Sequence, residues 1–272
     1  MSLLKRIPTA VALLAALFVI IQYAPKIVLY VFQQVFIVAA LVEFYRLAER
    51  KGLRPQTALG IVLALLVSLS FYFPTFPLEV ALYAGLLLSA VYAVVYFNSL
   101  ERLPYFPASF AITLLGMIYI SFPLNFLYKI RLMDAKLGPF YLYFLFSVVF
   151  LGDTGAMFFG KAFGRHKMTP VASPNKTWEG SAGGILFAVG GAVLARQVLL
   201  ASAVPLGRAI LTGVAVHAVA QVSDPLESLF KRAAGVKDSS NALPGHGGFL
   251  DRIDSLILAG PLFYFIVKYF WK

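Results

Sequence analysis

Nine runs of mainly apolar residues, each long enough to cross a bilayer, leave this chain few folds to choose from. A hydrocarbon core takes about 20 such residues per helix, and the runs lie near 7–24, 27–45, 57–74, 78–97, 107–127, 137–159, 180–201, 208–230 and 253–271. Lipid offers no partners to backbone amides, so each run must satisfy its own by forming a helix. The expected fold is all-α: a polytopic integral membrane protein of about nine transmembrane helices. The composition agrees, with 60% hydrophobic and 13% charged residues, against about 45–50% and about 25% in soluble domains. Lys5 and Arg6 precede the first run as in a secretory signal, but no small-x-small cleavage site follows before Tyr23-Ala24-Pro25. It is read as a retained helix.

Charge sets the orientation. Of the 23 Lys and Arg residues, fifteen fall on the side of the N-terminus and of the loops after spans two, four, six and eight. The positive-inside rule places that side, with polar segments 160–179 and 231–252, in the cytoplasm, so an inner-membrane protein with a cytoplasm-facing site is expected. A net charge of +11 could point to nucleic acid, but the cations are spread over short loops, and anionic lipid headgroups or phosphate substrates suit them better. Cysteine is absent, which excludes disulfides, thiolate metal sites and a cysteine nucleophile. Polarity is lopsided: residues 1–150 read as N-terminal scaffold helices and 151–272 as the catalytic region, within one membrane-embedded unit.

Five of the twelve acidic residues lie between Ser223 and Asp254, and charge at membrane depth needs a function to justify its cost. Asp224, Glu227, Ser228 and Lys231 stand at i, i+3, i+4 and i+7, one stripe of a helix. A Glu227–Lys231 salt bridge would explain part of it and leave Asp224 without a partner. Pro225 predicts a kink or opening that frees a carbonyl toward the polar face. Asp251 and Asp254 are also three apart; a helix cap explains one, not both. Hard divalent cations such as Mg²⁺ are held by a few carboxylates together with substrate phosphates, which makes Asp224, Asp251 and Asp254 the candidate metal ligands, with Glu227 in support. Gly247 and Gly248, beside His246, allow a backbone to approach a phosphate closely. Asp238 reads as a solvated loop residue.

The second polar segment contains Asp153 at membrane depth, then Lys161, Arg165 and Lys167, then Ser173, Lys176, Thr177 and Glu179. Its cations and hydroxyls suit a triphosphate, although Lys161, Arg165 and Lys167 also serve as topology signals. Gly160, Gly164, Gly180 and Gly184 fit either a site or close helix packing. His217, in mid-span, reads as a hydrogen-bonded packing residue.

Residues 153–254 together resemble the phosphatidate cytidylyltransferase (CDP-diacylglycerol synthase) family. The pattern runs Ser228-x2-Lys231-Arg232-x4-Lys237-Asp238-x-Ser240-x2-Leu243-Pro244-x-His246-Gly247-Gly248-Phe249-x-Asp251-Arg252-Ile253-Asp254, with Ser173-Pro174-Asn175-Lys176-Thr177-x-Glu179-Gly180 upstream. Asn175 stands where a basic residue is common, and Ser223 where Gly is. The resemblance implies condensation of CTP with phosphatidic acid to CDP-diacylglycerol and pyrophosphate, dependent on Mg²⁺, with a monovalent cation such as K⁺ at a neighbouring position. It also implies a homodimer among membrane lipids. Lys176, Lys231, Arg232, Lys237 and Arg252 would then clamp phosphates. Two rivals explain the acids less well: a cation-coupled transporter would hold them at the midplane, and a CDP-alcohol phosphotransferase would need an aspartate where Ser255 stands.

Overall fold

The structure, a computed structural model, describes residues 15–271 apart from 202, 244 and 246. Among these, seven helices are long and apolar enough to cross a membrane: α1 (Lys26–Arg50), α3 (Leu78–Tyr96), α4 (Leu103–Leu132), α5 (Gly138–Phe163), α6 (Trp178–Val198), α7 (Leu206–Ala233) and α8 (Leu250–Phe270). An eighth, α2 (Thr57–Tyr72), is equally apolar but 16 residues long. Residues 15–23 are helical as well; the rest of the expected first span falls outside the described residues. The protein is thus an all-α, multi-pass membrane protein, with seven long helices described where nine spans were expected.

Two departures from the expected pattern have local causes. Between α5 and α6 the chain forms a hairpin, β1 (Lys167–Thr169) against β2 (Ser173–Thr177), antiparallel with an irregular register. The polar run 165–177 has no helical periodicity, and Pro170 lies in its turn. Helix α4 is assembled from a 3₁₀ turn, an α segment, a π turn at Met117–Ser121 and a second α segment. Pro123 lacks the N–H that would close an α turn there, and the widened turn lets Ser121 donate to the Ala64 carbonyl of α2 at 2.9 Å. By contrast α7 runs unbroken through Pro225; the expected opening does not occur, because a proline removes one bond of the ladder while its neighbours hold the helix.

The structure divides into two compact units, residues 1–128 with 233–252, and 129–232 with 253–272. Within the first, α1 is fixed by Tyr45, fully buried against Gly60 of α2 and Gly116 of α4, its hydroxyl donating to the Thr113 carbonyl at 2.7 Å. Within the second, α5 and α6 approach through small residues: a Cβ on Gly180 would lie 2.8 Å from the Ala156 carbonyl oxygen. Close packing is therefore what Gly160, Gly180 and Gly184 provide. His217 of α7 is wedged between Gly152 and Gly184, and neither ring nitrogen has a hydrogen-bond partner among the described residues. It is a packing residue, without the expected hydrogen bond.

Candidate active site

In the second unit the α7 stripe forms as its spacing predicts. Glu227 is fully buried and meets Lys231 one turn later at 2.5 Å. Asp224 does find a partner: Lys176, from strand β2, reaches its Oδ2 at 2.7 Å. This ion pair joins the upstream polar segment to the α7 acids. Both side chains are about a quarter exposed, with 27% of each accessible, so the pair can be reached from outside. Ser228 Oγ lies 3.5 Å from Asp224 Oδ1.

Two further carboxylates complete the group. Asp254, in the second turn of α8, is seated by Ser223, whose hydroxyl donates to the Asp254 carbonyl, and its Oδ1 accepts from the Ser255 amide at 2.7 Å. Asp153 of α5 accepts from Ser255 Oγ at 3.3 Å. Asp153, Asp224 and Asp254 repel one another electrostatically, while Lys176 attracts Asp153 and Lys231 attracts Asp254. Asp153 thus stands near the acids of α7 and α8.

The hairpin holds most of its polar residues for itself. Thr177 caps α6, its hydroxyl accepting from the Gly180 amide at 3.1 Å, the usual task of a threonine before a helix. Glu179 accepts from the amides of Arg165 and His166 at 3.1 and 3.2 Å and meets His166 Nδ1 at 2.5 Å. Ser173 opens β2 opposite Thr169. Arg232 Nε donates to the Ala172 carbonyl at 3.3 Å, tying the end of α7 to the hairpin turn. Lys176 is the residue of this segment that reaches the acids.

In the first unit, Asp251 turns back onto the loop before α8. Its Oδ2 accepts from the Ser239 amide at 2.9 Å and the Gly248 amide at 2.8 Å and lies 2.8 Å from the Ser239 hydroxyl. Gly245 and Gly247 take φ of +77° and +79°, conformations that favour glycine, and Leu243 N donates to Gly247 O at 2.9 Å across the turn. Lys237, Asp238 and Arg252 are exposed. His246 and Pro244 lie outside the described residues. A residue the sequence reading passed over is Glu43 of α1, which is buried and accepts from Ser239, Ser240, Phe249 and Leu250 of the same loop. The signal was available: an acid inside an apolar span, the criterion that singled out Asp153.

Among the described residues no three histidines or acids converge closely enough to form a ready metal cage. The donor chemistry nonetheless suits a hard cation. Three mutually repelling carboxylates supply only oxygen, and Mg²⁺ takes few protein ligands and completes its shell with water and substrate phosphate.

A family model described as the cytidylyltransferase family matches residues 4–270. A phosphatidate cytidylyltransferase of Bacillus subtilis is 36% identical over 239 residues, 85% of this chain and 85% of that protein. One from Haemophilus influenzae is 45% identical over 141 residues, 49% of each chain, and one from Staphylococcus saprophyticus 38% over 164 residues, 60% of each. The chain belongs to the cytidylyltransferase family.

Proposed function

We propose that this protein transfers CMP from CTP to phosphatidic acid, giving CDP-diacylglycerol and pyrophosphate. The observation that carries the reading, beside the family, is the Lys176–Asp224 pair set among Asp153 and Asp254. It supplies carboxylate oxygens and an ammonium group at one accessible place.

An oxygen of the lipid phosphate attacks the α-phosphorus of CTP. A new P–O bond forms, the bond from that phosphorus to the oxygen leading to the β-phosphate breaks, and pyrophosphate leaves with the electron pair. No protein nucleophile is required, because the lipid phosphate monoester is already anionic. Catalysis is then positioning and charge neutralisation. Lys176 has three N–H donors; one meets Asp224, leaving others for phosphate oxygens. Lys231 balances buried Glu227 and attracts Asp254, offsetting part of the carboxylate charge before substrate binds. Asp224 and Asp254, with Asp153 beside them, would hold Mg²⁺. When bound, the ion would neutralise charge on the phosphates. Asp251 is assigned to shaping the loop that leads into α8, and the exposed Lys237 and Arg252 to binding phosphate. We place the site on the cytoplasmic face of an inner membrane, in a homodimer surrounded by lipid, with K⁺ as a second cation.

The test is direct. Protein purified in detergent should form CDP-lipid and pyrophosphate from CTP and phosphatidic acid only when Mg²⁺ is present, and chelation with EDTA should stop both. Well-folded protein that makes neither product under these conditions would refute the reading.

A further inference from the structure

Glu43 is a heavily engaged carboxylate of the first unit, and it lies far in sequence from every residue so far given a role in the reaction. It is 4% exposed, and among the described residues no Lys or Arg pairs with it. Instead it takes four hydrogen bonds, all from one loop. Oε1 accepts from Ser240 Oγ at 2.6 Å and from the Phe249 amide at 3.0 Å. Oε2 accepts from the Leu250 amide at 2.8 Å and lies 2.9 Å from Ser239 Oγ, whose single proton it shares with Asp251 Oδ2. Each oxygen therefore holds one serine from the start of the loop and one amide from its end. Two turns earlier on α1, Phe36 packs against Phe249 with ring centroids 5.1 Å apart. Gly248 leaves no room for a side chain, since a Cβ there would press on Ser239 Oγ and on both Glu43 oxygens.

We infer that Glu43 is a positioning residue for CMP transfer: its carboxylate ties Ser239 and Ser240 to Phe249 and Leu250 and sets the start of α8. Gly247 and Gly248 lie just before the tied amides, and α8 carries Asp251 and Asp254. A carboxylate suits this place because the Phe249 and Leu250 amides and Ser240 Oγ all donate to it, and Ser239 Oγ divides its one proton between it and Asp251. An amide would turn an N–H₂ group toward two of them. An ordinary structural carboxylate at this depth would face a cation; this one spends its charge on ordering a loop. The inference rests on the transfer reaction proposed above.

The test uses the full-length, detergent-purified protein with Glu43→Gln and Glu43→Asp variants. Three quantities are measured: kcat and KM for CTP per folded molecule, the melting temperature, and amide hydrogen exchange over 239–250. In Glu43→Gln, exchange should rise in that loop alone while the melting temperature stays near wild type. Its kcat/KM should fall by about 100-fold, the scale of a small misplacement of reacting groups. Glu43→Asp, which keeps the carboxylate, should recover part of the loss. A folded Glu43→Gln enzyme with kcat/KM within about threefold of wild type, a loss fully explained by unfolding, or unchanged exchange in the loop would overturn the inference. A wild-type protein that makes no CDP-lipid would instead sink the transfer reading and the catalytic half of this one, leaving the exchange data to decide whether Glu43 holds the loop.

Discussion

Replacing Lys231 by Met removes the cation that faces Glu227 while keeping a side chain of similar length, so the change is electrostatic more than steric. The two groups are 2.5 Å apart, with Glu227 fully buried and 9% of the Lys231 side chain accessible, so solvent screens them little. Removing one partner of such a pair costs about 3–5 kcal/mol, because the other charge stays behind in a poor solvent. At about 2–4 °C per kcal/mol for a chain near this size, Lys231→Met should melt roughly 6–20 °C below wild type. The second arm of the experiment adds Glu227→Gln. A neutral pair of the same shape comes close to break-even with a buried ion pair, so the double variant should regain more than half of the loss. Thermal unfolding in one detergent, at one protein concentration, measures all three proteins. A Lys231→Met protein that melts with wild type, or a double variant as unstable as the single, would refute the reasoning. The double variant also separates roles: if Lys231 touches phosphate, it should fold well and still turn over slowly.

Asp224→Asn and Asp254→Asn should each lower turnover by about 100-fold or more; Asp254→Asn should melt at or above the wild-type temperature, since it removes one of three mutually repelling carboxylates, whereas Asp224→Asn also gives up the ion pair with Lys176. A variant of either kind with near-normal kcat would remove that residue from the site. Gly184→Ala should destabilise the protein by about 1–3 kcal/mol, the usual cost of overpacking, because its Cβ would sit 2.6 Å from His217 Nε2 and 2.8 Å from Gln221 Nε2. An unchanged melting temperature would show that α6 and α7 can part there at no cost.

Much of the architecture was legible because hydropathy acts residue by residue. The span expected at 78–97 is α3 at Leu78–Tyr96, and that expected at 208–230 is α7 at Leu206–Ala233. The acids that stand out were legible for the same reason, since a carboxylate at membrane depth is costly wherever it occurs. The α7 stripe followed from helical spacing alone, so the Glu227–Lys231 pair could be anticipated.

Other features depend on residues brought together from distant parts of the chain. No local rule pairs Lys176 with Asp224, which are joined only because the hairpin packs beside α7. Nor does any pattern tell that Asp251 spends an oxygen on Ser239 and Gly248, or that Glu43, in a helix read as scaffold, is the acceptor for four donors more than 190 residues away. Residue type and spacing decided which segments enter the membrane and which groups carry charge. Packing decided which charge meets which partner, because a hydrogen bond or ion pair is set by distances of about 3 Å that only the folded chain defines.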